Sequence, residues 1–422
     1  MFNPSLIGKP VVVLSSNDGC VIARSNEAKA LDIPMGAPAF QYINFFKKHN
    51  VHLFSSNFCL YGDMSSRVMH TLAQEATDLE VYSVDEAFLH IQDYKNEQNA
   101  DYFKAHALKL VRKVKQHTGI PISIGIAPTK TLAKIANKIA KKNPAYGNIF
   151  DITDCATIDD ILEKIPVSDI WGVGRRYAKM LISHGITTAR GLKYADDVWV
   201  RKKMTVIGLQ MVHELRGIPC FAIDEEVETN KSFVVSRSFG QSTSDPQLVK
   251  EATAHHAEHG ARKLRKQKLL ASHVSAFVLY RRPQDTERSY MSASVALAEP
   301  TNYSPTIISA AKTCIDKLFI PGLIYKKAGI MLNDLSLAEQ EQLQIEANLP
   351  LKAKQKAYMQ AVDLVTTKWG TDRLIFAATG IERPWTTKKE LRSACYTTSW
   401  QELLTLDLQG KTVDPERDPH SY

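Results

Sequence analysis

Apolar residues recur along this 422-residue chain with two different periods, and the switches between them predict where helices and strands lie. A β-branched run over 10–14 follows Gly8-Lys9-Pro10 and gives way to Ser-Ser-Asn-Asp-Gly over 15–19, so a strand should end there in a turn. Residues 27–31 read as a helix stopped by Pro34 and Gly36. Met64, Val68, Leu72 and Ala76 fall at every fourth position, which gives a helix over 64–76 one buried face. Strand formers dominate 81–91 and 120–126, with a lysine-bearing helix over 104–116 between them. A second basic helix spans 129–142, opened by Pro128-Thr129 and closed before Asn143-Pro144.

A boundary is expected near Phe150, because 157–217 carries short helical patterns and few strand signals before Gly217-Ile218-Pro219. The acidic stretch 224–228 reads as a linker. Beyond it the pattern predicts a strand (231–239), a helix (246–266), two strands (274–280 and 292–297), a helix (306–318) and a strand (328–332). Everything after Leu335 is polar and helix-prone and reads as an appendage. The fold class is therefore α+β, in several modules, since the chain is too long for one compact core.

Composition narrows the function classes. Hydrophobic residues make up 44% and charged residues 23%, which excludes a disordered or fibrous protein. Lysine and arginine outnumber aspartate and glutamate by 53 to 45, so a polyanion such as nucleic acid is a natural partner. The six cysteines (20, 59, 155, 220, 314 and 395) form no Cys-x-x-Cys pair and read as reduced thiols rather than a zinc site. The N-terminus has no leader-like charge and apolar pattern, and no apolar run reaches membrane-spanning length. The expectation is a cytoplasmic protein with no membrane partner.

Four groups of residues could carry chemistry. Asp85 and Glu86, in Ser83-Val84-Asp85-Glu86-Ala87-Phe88, are oxygen donors of the kind magnesium takes. Neighbours in a regular strand face opposite ways, so sharing a metal requires a bulge or turn there; otherwise the pair is surface charge. Trp171-Gly172-Val173-Gly174-Arg175-Arg176, followed by Leu181 and Gly185-Ile186, has the pattern of a helix-hairpin-helix, whose free backbone N–H groups grip a DNA phosphate, or else of an ordinary helical turn. Lys130, Lys134 and Lys138 share a helix face, where repulsion favours an anionic ligand as compensation, or solvent. Glu251, His255 and His259 also share a face, but in so basic a helix and without a cysteine nearby they read as polar surface rather than zinc ligands.

Taken in order, Gly-Lys-Pro-Val-Val-Val (8–13), Asn-Asp-Gly-Cys-Val-Ile-Ala-Arg (17–24), Glu-Ala-Lys-Ala-Leu (27–31), Ser-Val-Asp-Glu-Ala-Phe (83–88) and Thr-Lys-Thr-Leu-Ala-Lys (129–134) resemble the Y-family translesion DNA polymerases. Trp-Gly-Val-Gly-Arg-Arg, Ser-Arg-Ser-Phe-Gly (236–240) and Tyr-Thr-Thr (396–398) extend the likeness over nearly the whole chain, towards the UmuC-type branch. The resemblance implies a right-hand polymerase: fingers (1–56), palm (57–150), helix-hairpin-helix thumb (151–222), little finger (231–335) and a C-terminal tail (336–422). It implies error-prone synthesis past DNA damage in the SOS response. Asp85 and Glu86 become catalytic ligands of Mg2+, two ions in a complete site. Asn26, Lys29 and Lys141 become contacts to the deoxynucleoside triphosphate. Gly172, Val173, Gly174 and Arg175, with Arg237 and Ser238, are placed on primer-template DNA. Expected protein partners are a UmuD′ dimer and RecA.

Two departures qualify this picture. Family members begin with a strand that carries a first catalytic aspartate and an aromatic gate against ribonucleotides, whereas here nothing precedes Met1-Phe2. A misplaced start codon would explain this, and translating the upstream DNA in frame tests it. In the tail, Gln342-Leu343-Gln344-Ile345-Glu346 lacks the aromatic anchor of a sliding-clamp motif, so clamp contact should be weak. A DNA-binding relic without catalysis is the alternative reading. A nucleotide cyclase, which has no duplex to hold, is disfavoured by the hairpin and the little finger.

Overall fold

A computed structural model describes residues 2–91, 100–153, 158–223, 230–285, 287–340, 349–371, 373–406 and 412–413. The chain divides into two compact units. Of the described residues, one holds those in 2–5, 57–223 and 394–413. The other holds residues 6–56 and 228–393.

Residues 6–56 build a three-stranded sheet of order β2-β1-β3. Strand β1 (Val11–Leu14) is antiparallel to β2 (Val21–Arg24) and parallel to β3 (His52–Ser55). Helices α1 (Asn26–Ala30) and α2 (Ala39–Lys48) complete it, and Val12, Leu14, Val21, Ala28, Ile33 and Phe46 form its core. Ser25 starts α1 by accepting from the Ala28 N–H at 3.2 Å, and its Oγ also accepts from the Val11 N–H at 3.1 Å, which fixes helix to strand. In the expected turn, Asn17 and Asp18 take positive φ values of 60° and 50°, a conformation that short polar side chains tolerate.

In the unit of residues 57–227, α3 (Phe58–Ala73) buries Leu60, Met64, Val68 and Leu72, the face the four-residue spacing predicts. It packs on α4 (Ala100–Thr118) through Leu110 and Val114. Strands β4 (Asp78–Val81) and β5 (Ala87–His90) form an antiparallel pair, so the stretch 81–91, expected as one strand, is interrupted by a turn. Strand β6 (Ile124–Ile126), helix α5 (Lys130–Lys142) and strand β7 (Ile149–Asp151, parallel to β6) follow. Among the described residues, β5 pairs only with β4, and β6 only with β7.

The short helices expected over 157–217 are α6 (Ile158–Glu163), α7 (Arg175–Ser183), α8 (Ala189–Lys193) and the longer α9 (Asp197–Leu215). They share one core with α5: Leu132, Ile135 and Ala136 meet Leu162, Leu181, Leu192, Val200 and Leu215. Glu214 is fully buried in α9, yet its carboxylate is satisfied. It accepts from the backbone N–H of Thr131 at 2.8 Å, Cys220 at 2.9 Å and Phe221 at 3.1 Å. A carboxylate docked against the first turn of α5 also suits the positive end of that helix's dipole. This junction sets where α5 begins.

The second unit's larger part is a four-stranded antiparallel sheet of order β10-β9-β11-β8. Its elements are β8 (Ser232–Thr243), α10 (Pro246–Lys266), β9 (Leu269–Arg281), β10 (Ser289–Thr301), α11 (Ser304–Leu318) and β11 (Ile324–Leu337). The strands run past the lengths read from sequence: β8 and β10 extend into polar, exposed residues, whereas β9 gains the buried Leu269, Leu270 and Ala271 and β11 the buried Tyr325. The tail is not an appendage. Helix α12 (Leu349–Trp369) buries Met359 and Val362, and Asp363 accepts a two-pronged hydrogen bond from Arg265 of α10 at 2.7 and 2.8 Å. Trp385 is buried in the core under the sheet, and its carbonyl accepts from the Gly240 N–H of β8. Asn17 then joins three segments: its Nδ2 donates to the carbonyls of Ser238 and Phe239, and its Oδ1 accepts from the Lys388 N–H at 2.9 Å.

Candidate active site and nucleic-acid interface

Asp85 and Glu86 sit at the end of the β4–β5 hairpin. The register pairs Val81 with Ala87, leaving 82–86 as the connection, and the Tyr82 and Ser83 N–H groups both donate to the Glu86 carbonyl at 3.1 and 3.0 Å. Because the backbone turns here, the two neighbours escape the opposite-face rule of a flat strand. Both side chains are exposed. The Ser83 hydroxyl donates to Asp85 Oδ1 at 2.7 Å, which orients that carboxylate. Glu86 Oε1 lies 2.9 Å from Lys134 Nζ.

The lysine face of α5 turns out to be matched within the protein. Lys130 pairs with Glu80 of β4 and also donates to the Ala222 carbonyl, Lys134 pairs with Glu86, and Lys138 with Asp169 at 2.7 Å. The repulsion read from the four-residue spacing is thus compensated by carboxylates of the fold, a third answer beside the external anion and the solvated face that the spacing left open. Trp171, Tyr82 and Phe88 gather at the same point: Trp171 Nε1 donates to the Tyr82 hydroxyl at 3.0 Å, and each pair of rings stands 5.6–5.7 Å apart. Lys134 Nζ lies 4.5, 5.4 and 5.9 Å from the Tyr82, Phe88 and Trp171 ring centres. Phe88 and Trp171 belong to stretches picked out in the sequence for other reasons, but Tyr82 and the gathering of the three rings around Lys134 carry no signal there. The lysine spacing was visible, but nothing local pointed from it to residues so far along the chain.

The glycine hairpin has the geometry its sequence demands. Gly172 adopts φ +88°, which calls for glycine, while a Cβ there would meet only Met211 Cε, the movable end of its side chain, at 2.6 Å. Val173 is buried in the helical core, while Gly174 is the N-cap of α7 and supplies no capping side chain. Arg175 and Arg176 follow, both exposed, in the first turn. Uncapped N–H groups at a helix start beside two guanidinium groups suit a phosphate.

The remaining expected residues lie on separate elements. Asn26 and Lys29 lie together on α1, with Lys29 Nζ 3.0 Å from Asn26 Oδ1. Lys141 is exposed in the last turn of α5, two turns beyond Lys134. Arg237 and Ser238 are exposed on the edge strand β8, opposite Ala328 and Lys327 of β11. The Ser238 carbonyl is taken by Asn17. The clamp-like segment 342–346, the linker 224–228 and Cys155 lie outside the described residues. Glu251, His255 and His259 lie on α10, where His256 is the fully buried member of the histidine group. Among the described residues no three His, Cys, Asp or Glu side chains converge to hold a metal ion, and no helix is long and apolar enough to cross a membrane.

Family models described as the impB/mucB/samB family and its C-terminal domain match residues 1–138 and 230–346, and a domain of unknown function matches 356–406. The chain is 39% identical to Protein UmuC of Salmonella typhimurium over 406 residues, covering 96% of each chain. The chain belongs to the impB/mucB/samB family. Protein SamB of the same organism is 37% identical, covering 96% of this chain and 95% of the other. Protein MucB of Escherichia coli is 34% identical, covering 95% and 94%. The fold is that of Y-family DNA polymerases: a Dbh-Dpo4 chimera aligns with a TM-score of 0.61 at 20% identity, over 79% of this chain and 94% of the chimera. A Dbh DNA polymerase in an insertion ternary complex gives 0.52 at 19% identity, with the same coverage. Membership in this family removes the cyclase alternative.

Proposed function

We propose that this chain is a DNA-directed DNA polymerase that carries out error-prone translesion synthesis in the SOS response, extending a primer past damaged template bases. The observation that carries the reading is the pair of exposed carboxylates Asp85 and Glu86 on one hairpin turn in a chain of this family. Magnesium is commonly held by one or two carboxylates plus substrate phosphate oxygens, and two exposed carboxylates on one turn suit that ion as part of its shell. When bound, it supplies activation of the primer hydroxyl and charge stabilisation at the transferred phosphate.

The protein's own groups orient the reactants. Ser83 steadies Asp85 by its hydrogen bond. Lys29 and Lys141 act as flexible point charges for the triphosphate, with Asn26 holding the Lys29 ammonium. The Gly172–Gly174 hairpin and Arg175 take one stretch of DNA backbone, and Arg237 and Ser238 take another, without reading base sequence. Fingers (1–56), palm (57–150), thumb (151–222) and little finger (231–335) are the roles we assign to these segments. A UmuD′ dimer and RecA are the protein partners this kinship suggests, in the cytoplasm.

The test is primer extension by the full chain with Mg2+ on a template carrying an abasic site. Magnesium-dependent elongation past the lesion is expected. Primer-template binding with no elongation on damaged or intact template would point instead to a DNA-holding relic.

A further inference from the structure

We propose that Lys134 is the resident counter-ion of Glu86: a positioning residue whose ammonium holds the carboxylate until a divalent cation displaces it. This rests on the reading of Asp85 and Glu86 as cation ligands. Lys134 differs from the other two lysines on its helix face. Lys130 and Lys138 pair with Glu80 and Asp169, which lie outside the 82–86 turn, whereas the partner of Lys134 is one of the two candidate ligands.

Its surroundings explain how it can release that partner. The Lys134 side chain is 18% exposed and Glu86 is 49% exposed, so the carboxylate can swing towards solvent while the ammonium stays. The rings of Tyr82, Phe88 and Trp171 remain around the nitrogen when Glu86 leaves, each within cation–π range. The Trp171–Tyr82 hydrogen bond holds two of those faces in place. A fixed positive charge beside the site also opposes a second cation. The free protein should therefore bind divalent ions weakly, and the negative triphosphate should be needed to bring them in.

The experiment is Mn2+ binding to the full-length protein without DNA or nucleotide, read from the loss of the free-ion EPR signal. Lys134→Met keeps the apolar stem against the rings and removes the charge. It should bind Mn2+ roughly three- to ten-fold more tightly, the effect of deleting one screened unit charge a few ångströms away. Lys134→Arg keeps the charge and should bind no more tightly than the wild type, and Asp85→Asn should weaken binding. Unchanged or weaker binding in Lys134→Met overturns the inference, as does equal tightening by Lys134→Arg. If Asp85→Asn still weakens binding in either case, the cation reading stands without the inference. Binding indifferent to Asp85→Asn overturns both. Should circular dichroism show Lys134→Met unfolded, Lys134→Gln replaces it with the same expected direction.

Discussion

Replacing Gly125 by alanine should be among the most damaging single-methyl changes in the unit of residues 57–227. Strand β6 crosses α5 so closely that a Cβ at Gly125 would lie 2.2 Å from Asn137 N, 2.3 Å from the Ala133 carbonyl oxygen and 2.8 Å from Ala136 C. All three are main-chain atoms of a helix, so no side chain can rotate away. Helix or strand must move by about 1 Å, and overpacking of this kind costs ~1–3 kcal/mol where neighbours can yield. With only backbone in the way, about 3 kcal/mol is expected, or roughly 6–12 °C in melting temperature for a unit of this size. Gly62 is the control: it lies inside α3 with nothing within 4 Å of its Cβ position, so alanine there should be neutral or stabilise by up to ~1 kcal/mol. Differential scanning calorimetry of both variants decides the matter. A Gly125→Ala protein melting within a degree of the wild type, or a Gly62→Ala protein equally destabilised, would refute the packing argument. Because α5 carries Lys134, any surviving Gly125→Ala protein should also lose synthesis beyond its loss of folded material.

Two further outcomes follow from the structure. Arg175→Ala should reduce the slope of log affinity against log salt for duplex DNA by about 0.9, one phosphate contact, in fluorescence anisotropy; an unchanged slope would remove Arg175 from the backbone contact. His256 is 2% exposed, and burial, reinforced by His255, Arg237, His259 and Lys327, pushes its imidazole down to about 3. The unfolded chain takes up that proton below about 6.5 and the native state does not, so stability should fall from there towards pH 3 by ~1.4 kcal/mol per pH unit. His259, lowered to about 4 by burial and by Arg262 and Lys263, adds to this, while Glu258, raised by burial, works in the opposite sense. His256→Gln should flatten the slope by about one proton in urea unfolding followed against pH. An unaltered slope would show that His256 is not the group responsible.

The parts of the fold legible in the sequence are those fixed by local pattern. The buried face of α3, the caps of α5 and the glycine hairpin depend on spacing within a dozen residues, and each was visible there. Strand lengths were not: the added ends of β8 and β10 carry exposed polar residues held by pairing with their neighbours, and the added starts of β9 and β11, though buried at Leu269–Ala271 and Tyr325, are too short to show a period of their own. Helix α2 and the strands β2 and β3 also went unassigned. The helix has only two buried positions, Ala39 and Phe46, and the strands run four residues each. The tail read as loose because its anchors, Arg265 with Asp363 and Trp385 in the core, are single residues whose partners lie far back along the chain. The candidate site divides in the same way. Asp85 and Glu86 stood out as a pair, but the lysine that holds Glu86 comes from helix α5, and one of the three rings around that lysine comes from the Trp171 hairpin.

The most direct test of the account is single-nucleotide insertion by Asp85→Asn under single-turnover conditions, with primer-template affinity measured in parallel. The substitution keeps the shape of the side chain and removes its charge, so affinity for DNA should stay within about two-fold while the insertion rate falls at least ~100-fold, about 2.7 kcal/mol of barrier. Insertion at the wild-type rate by Asp85→Asn would contradict the assignment of this hairpin as the active site.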